Sequence, residues 1–369
     1  MCIKEGKELK KFSKVLAVIV SSILVVMSLV SCGGSNTATS SNKKSEIFIL
    51  NFGDYMAEEA IQVFEKETGI IVHQDLFEAN EEVIPVIESG AKYDVICISD
   101  YCIERMLDRD LLQPIDASKI PNLSNINKGK LDLLSVCDPG NKYAVPYFCG
   151  SMGIFFNKTK LDEMKVEYPT SWADLFNPEL KGELLMQSSV RDLYTVALKM
   201  HGFSVNSTNK EELDICTEDF IKQKPYVQGY MTDQVKEKIL SGEAAIAPIT
   251  SGDVQYVYLE GGSDEYCFVV PKEGTQMFID AWCIPKNAEN VDNAHKFIDY
   301  MCREDVAKLN AEYVGYETVN DKTPDEEFLF MKQKEGAFVD YSNGNYELER
   351  DVADAIRYYT DGYNRIKAS

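Results

Sequence analysis

Between Glu46 and Ser99 the chain alternates short apolar runs with amphipathic stretches, and this alternation restricts the fold more than any other feature. Glu46 to Phe52 (EIFILNF) reads as a strand. Glu58 to Thr68 places Ala60, Ile61, Val63 and Phe64 near helical spacing, with Gly69 as a C-cap. Ile70 to Phe77 reads as a second strand, Glu81 to Ser89 as a helix closed by Gly90, and Asp94 to Ser99 as a third strand. Such alternation calls for a largely parallel sheet with covering helices. Ligand sites in these sheets lie at the carboxyl ends of the strands. Phe52 to Tyr55 and Ser99 to Tyr101 are therefore candidates on position alone.

From about Tyr147 the pattern restarts. Strands are expected at Gly153–Asn157, Leu184–Gln187, Ala244–Ile249, Phe268–Pro271 and Phe278–Pro285. The spacing predicts a capped helix from Thr170, and helices at Arg191–His201, Glu211–Gln223 and Thr232–Leu240. Ala294, Phe297, Ile298 and Met301 mark another amphipathic helix. A last helix is expected to carry Leu348, Val352, Ile356, Tyr359, Tyr363 and Ile366 on one face, and Thr250 to Asp253 to form a strand-end loop. No Pro/Gly-rich linker separates the two halves, which suggests two α/β lobes joined by crossover strands.

The N-terminus decides where such a fold works. Lys4, Lys7, Lys10, Lys11 and Lys14 precede an apolar run from Val15 to Leu29 that ends in Leu29-Val30-Ser31-Cys32. A basic start, an apolar run of about 15 residues and small residues at the cut describe an export signal. The run is short for a membrane span, which needs about 20 residues. An uncleaved N-terminal anchor is the alternative. Gly33 to Lys44 (GGSNTATSSNKK) reads as a flexible polar tether.

The formal charge is −22, and removing the +3 of residues 1–31 leaves −25. That argues against nucleic acid or an anionic membrane surface as partner. Eight cysteines lie beyond Cys32, scattered without a CxxC pair or a Cys/His cluster, so no metal is expected and free buried thiols are. The three histidines, His73, His201 and His295, stand apart from one another and from any nucleophile. GxSxG, HExxH, Walker A and GxGxxG motifs are absent, so neither an enzyme nor a cofactor is expected.

What recurs is an aromatic near a carboxylate, in Phe52-Gly53-Asp54-Tyr55, Ser99-Asp100-Tyr101, Phe278-Ile279-Asp280 and Tyr346 to Glu349, with Arg191-Asp192 adding an acid without a ring. An organic ammonium needs both. Ring faces attract a cation by about 0.5–2 kcal/mol each, and charge-assisted N–H···O bonds fix its position. With 17 Phe, 20 Tyr and 2 Trp in the chain, any one ring is more often core than ligand wall. The pattern gains force only from its order along the whole chain.

In that order the chain resembles the bacterial extracytoplasmic spermidine/putrescine-binding proteins of ABC importers. The pieces are Asn51-Phe-Gly-Asp-Tyr55, Phe64-Glu-Lys-Glu-Thr-Gly69, Tyr93-Asp-Val95, Val145-Pro-Tyr147, Ser171-Trp-Ala-Asp-Leu-Phe176, Pro178-Glu-Leu-Lys-Gly182, Asp280 to Pro285 and Gly315-Tyr316. Leu-Val-Ser-Cys resembles a bacterial lipobox, which implies lipidation of Cys32. The resemblance implies a periplasmic-binding-protein type II-like α/β fold, with two lobes of mainly parallel sheet around a ligand cleft. Its parts would be a signal peptide at 1–31, lipidated Cys32 and tether at 32–45, one lobe at 46–147 plus about 277–325, and a second at 148–276 plus about 326–369.

Carried over residue by residue, the resemblance implies an aromatic box of Phe52, Tyr55, Tyr101 and Phe278. Phe52 and Phe278 stand where the family usually has tryptophan. Asp280 matches the principal amine-binding aspartate, and Asp54 and Asp192 match further acids. Ser99, Tyr316 and Glu349 match polar contacts, with Glu349 replacing what is often glutamine. Ser189 stands where the family has a second aspartate, and Thr250 where a tryptophan wall is expected. These departures suggest a shorter or less charged ligand, such as putrescine over spermidine. The implied protein is a monomer, lipid-anchored outside the cell, that captures a polyamine and delivers it to an ABC permease and its ATPase. The alternatives are another organic cation, an amino acid or a carbohydrate on the same fold, or an anchored enzyme or sensor subunit.

Overall fold

The computed structural model describes residues 45–369, except 233, 262–264 and 324–345 and the side chains of 256 and 258–261. The expected signal peptide, Cys32 and almost all of the tether lie outside the described residues. The strands are β1 (Glu46–Phe52), β2 (Ile71–Phe77), β3 (Val95–Ser99), β4 (Ala144–Asn157), β5 (Leu184–Met186), β6 (Val227–Tyr230), β7 (Ile246–Thr250), β8 (Tyr266–Val269), β9 (Thr275–Cys283), β10 (Glu317–Thr318) and β11 (Tyr346–Leu348). They join in one sheet whose main path runs β2-β1-β3-β9-β4-β7-β5-β6.

The expected α/β architecture is present, and its parallel strands fall into two outer groups. β2, β1 and β3 are parallel, with the helices Glu58–Thr68 and Asn80–Glu88 as connections. At the other end β6, β5 and β7 are parallel. A parallel pair needs a long crossover, and those helices supply it. The middle is antiparallel, because β9 and β4 run against their neighbours β3, β7 and each other.

β4 is the longest strand, and every residue in it is buried. Its first half pairs with β9, from Ala144 opposite Cys283 to Ser151 opposite Met277. Its second half pairs with β7 on one side and β8 on the other. The expectation of a strand beginning at Gly153 is therefore corrected. Pro146 lies within β4, paired with Ala281 beside a register irregularity, the kind of place where a sheet tolerates proline. Two further expectations change. Leu348 belongs to β11, paired with Met277, and the last helix begins at Ile356. The expected loop after Thr250 is instead the helix Ser251–Gly261.

Four apolar clusters pack on this sheet. Phe64, Phe297 and Trp282 fill one face of the half built on β1, β3 and β9, and Val83, Ile103 and Met106 the other. Trp172, Tyr194, Phe220 and Tyr359 dominate the half that holds β5 and β7, with Phe155, Val254 and Phe268 opposite. Fully burying one such aromatic contributes roughly 1.5–3 kcal/mol. All eight described cysteines are free thiols, and seven are buried, as expected.

One buried acid ties the first half together. Asp94 accepts from the backbone N–H groups of Phe48, Glu289 and Asn290 and from Asn290 Nδ2, at 2.7 to 3.0 Å. Its carboxylate links β1 to the segment that follows β9. Asp94→Ala strands three backbone donors, each costing about 1–3 kcal/mol when buried and unpaired. The variant should lose roughly 3 kcal/mol or more in urea unfolding, read as a lower midpoint at unchanged slope.

Candidate functional site

Asp280 lies at the centre of the sheet, opposite Ser99 on β3 and Phe148 on β4. It is 4% exposed. Its carboxylate accepts hydrogen bonds from the Ser99 and Tyr55 hydroxyls, both at 2.5 Å. Asn80 sets the first of these. Its Nδ2 donates to Ser99 Oγ at 2.9 Å while its Oδ1 accepts from the Ser99 N–H, which leaves the Ser99 proton for Asp280. Tyr147 anchors the second by donating to the Tyr55 carbonyl at 2.8 Å. Burial pushes the Asp280 pKa up to about 6, and the two hydroxyl donors oppose that rise.

Rings surround this carboxylate. Tyr55 meets Phe52, Tyr147, Phe148 and Tyr316 edge to face, with centroids 5.4 to 5.6 Å apart. Phe278 meets Tyr316 at 5.8 Å, and Phe52 leans on Phe77 at 4.3 Å. Two glycines make room for Tyr316. A Cβ on Gly150 would come within 2.6 Å of Phe278 and 2.9 Å of Tyr316, and one on Gly252 within 2.3 Å of the Tyr316 ring. The Tyr316 hydroxyl donates to Thr250 Oγ1, which donates to Asp253, each at 2.7 Å. Thr250 thus holds a neighbouring ring in place without being a wall itself.

A second group of charges lies around the start of the helix Val190–Met200. Ser189 is its N-cap, accepting from the Asp192 N–H at 3.5 Å. Gln276 Nε2 donates to Asp192, and burial raises the Asp192 pKa. Arg191 stacks 5.4 Å from the Tyr101 ring and stands 3.4 Å from Glu349. Burial, opposed by Arg191 and reinforced by Asp192, Glu81 and Asp280, pushes Glu349 up to about 7. Asp100, buried at the head of its own helix, is also pushed well up by burial and by Glu349, although the N–H groups of Tyr101 and Ile279 bind it.

Of the residues singled out in the sequence, Phe52, Tyr55, Ser99, Phe278, Asp280, Tyr316 and Thr250 form one connected group. Tyr101, Ser189, Asp192 and Glu349 form the adjacent one, and the charges of Asp280 and Asp192 reach Glu349. Asp54 joins neither group. It is exposed in the turn after β1, with a left-handed φ of 50°. Sequence reasoning missed Asn80, Gln276 and the glycines at 150 and 252. It noted Arg191 only as a neighbour of Asp192, and no local signal marks any of the five.

Asp280 and Glu349 both hold protons more tightly folded than unfolded. Their burden on the fold is absent near pH 4 and grows as pH rises through about 6 and 7. The empty protein should therefore lose stability across that window, by several kcal/mol in all. Urea melts at pH 5 and pH 8 check this, and Asp280→Asn should reduce the difference, leaving the part due to Glu349.

Comparison with known proteins bears on the family of this chain. Residues 59–337 match the family described as bacterial extracellular solute-binding protein. The spermidine/putrescine-binding periplasmic protein of Escherichia coli is 32% identical over 350 residues, covering 90% of this chain and 94% of that one. A putrescine-binding periplasmic protein of Pseudomonas aeruginosa is 30% identical, covering 70% of this chain and 74% of that one. The solved structure of a putative spermidine/putrescine ABC transporter protein from Listeria monocytogenes superposes with a TM-score of 0.80 at 34% identity, covering 88% of this chain and 99% of that one. The chain belongs to the bacterial extracellular solute-binding protein family.

Proposed function

We propose that this protein captures a polyamine, putrescine or spermidine, outside the cytoplasm and hands it to an ABC permease coupled to an ATPase. The observation that carries this reading is Asp280, a carboxylate held mid-sheet by two hydroxyls and walled by Tyr55, Phe278 and Tyr316. A flexible ammonium chain needs ring faces and desolvated negative oxygens together. The relatives named above as polyamine binders support the same reading, and they are binding proteins rather than enzymes.

The ligand would lie between two lobes, 46–147 with about 277–325, and 148–276 with about 326–369. Two placements support that division. The helices Val291–Met301 and Glu304–Val314 share a core with β1, whereas the helix Ile356–Ala368 packs with Tyr194 and Phe220. Asp280, Tyr55 and Ser99 belong to the first lobe, and Asp192 and Glu349 to the second. A cation bridging them favours closure because it gains contacts from both sides. Lipidation at Cys32 would tether a monomer of this kind to the membrane.

Calorimetric titration with putrescine, spermidine and spermine should give saturable binding for at least one. A 100-fold excess over Kd should add about 2.7 kcal/mol to the protein's stability. Asp280→Asn should weaken binding at least tenfold while the empty protein melts no lower than wild type. Affinity unchanged by Asp280→Asn would remove that residue from the site. Binding of a sugar or amino acid instead of any amine would overturn the ligand class.

A further inference from the structure

Lys130 holds its amine against a buried sulfur. It belongs to the short helix Lys128–Leu134, and its Nζ donates to Cys149 Sγ and to Glu317 Oε1, each at 2.9 Å. Cys149 and Glu317 face each other across the antiparallel pair of β4 and β10, so strand register places both acceptors. Elsewhere in the fold an amide nitrogen meets sulfur at 3.7 Å, where Gln223 Nε2 donates to Met186. The lysine contact is far tighter, as for an ammonium drawn to a thiolate. The Glu317 carbonyl, 3.8 Å from the sulfur, offers a thiol proton little hold. An adjacent lysine favours the thiolate, which is the reactive form of cysteine. Burial alone would lower the Lys130 pKa, but Cys149 and Glu317 hold it above its usual value.

Access restricts what this sulfur can react with. Cys149 is fully buried, whereas the Lys130 and Glu317 side chains each keep 14% of their surface exposed. The sulfur thus lies one side chain below the surface. A bulky thiol cannot reach it there, and none of the described cysteines is bonded to another. A small neutral oxidant can enter through local opening. An amine already in contact is then the partner at hand.

The geometry points to Lys130 and Cys149 as a modification site, at which molecular oxygen joins the two side chains through an N–O–S bridge. The ammonium–thiolate pair and one O2 give the bridge and one water. One N–O and one S–O bond form, and the O–O bond breaks. Nitrogen and sulfur each give up two electrons, and oxygen takes all four. Two of the three ammonium protons leave in the water, so no net proton is released. Glu317, in contact with Nζ, is placed to carry them. A bent bridge of two single bonds spans little less than the present gap, so neither backbone need move. The bridge fastens the helix Lys128–Leu134 to β4, beside the Phe148 that lies opposite Asp280. It does not depend on which ligand the protein binds.

The test is mass spectrometry of the reduced protein, freed of reductant and then held in oxygen-saturated or argon-purged buffer. The oxygen-treated protein should gain one oxygen atom and lose two hydrogens, and its digest should contain the Lys130 peptide linked to the Cys149 peptide. Dithiothreitol should undo the link, and the argon sample should not form it. Cys149→Ser and Lys130→Arg should each abolish it. If either variant does not fold, the wild-type digest decides the matter alone. Cys267 is the one described thiol that is not buried, so it would react first if exposure alone governed. Oxidation there with Cys149 left as a thiol would overturn the inference. So would a sulfinic acid at Cys149 with Lys130 unlinked, or a protein unchanged in mass.

Discussion

A carboxylate in the middle of a β-sheet is the constraint on which the other features depend. Asp280 is nearly inaccessible, and among the described residues its only side-chain donors are two hydroxyls that can neutralise none of its charge. Keeping it there requires β9 to lie against β3 in the one register that sets Asp280 opposite Ser99. It also requires the turn after β1 to bring Tyr55 back over the sheet, where Tyr147 of β4 holds its backbone. Strands from four parts of the chain thus converge on one charge. A hydrocarbon side chain at this position would pack with less penalty, since a buried ion without a counter-ion is costly. The sensible counter-ion is one that comes and goes.

The walls obey a related rule. Phenylalanines at 52 and 278 give smaller rings than the tryptophans the family resemblance implies, and Tyr316 fills the remaining space. That filling is possible only because Gly150 and Gly252 present no side chain to its ring. Thr250 then spends its hydroxyl on Tyr316. The result is an aromatic enclosure in which the hydroxyls of Tyr55 and Tyr316 are donated to Asp280 and Thr250. Arg191 and Glu349 extend the same logic to the far side, where fixed charges of both signs leave a net deficit of positive charge.

Much of this was legible in sequence where the signal is local. The strand–helix alternation of residues 46–99 follows from period alone, and strand ends then nominated Phe52, Tyr55, Ser99 and Tyr101. Only the second half of β4 was expected; its first half carries Pro146 beside a register irregularity and Gly150 where two rings pack. The helix after Thr250 was missed because a Ser-Gly-Asp start reads equally as a loop. Asp54 looked like a ligand from its neighbours, yet its side chain is exposed. The burial of Arg191 depends on Asn206, Glu349 and Tyr359, which are distant in the chain, so no window around residue 191 could reveal it. Local periodicity writes elements; charge compensation is written only in the assembled fold.

The central claim is that the empty site holds more negative charge than it can stabilise, and that a bound polyamine removes the imbalance. Counting protons on binding tests this most directly, by calorimetry of putrescine binding near pH 6.5 in two buffers of different ionisation enthalpy. Asp280 and Glu349, with pKa values raised to about 6 and about 7, should ionise fully as the ligand enters. Net release of protons, fading above pH 8, is the expected result. Binding with no proton release, or with uptake, would contradict it.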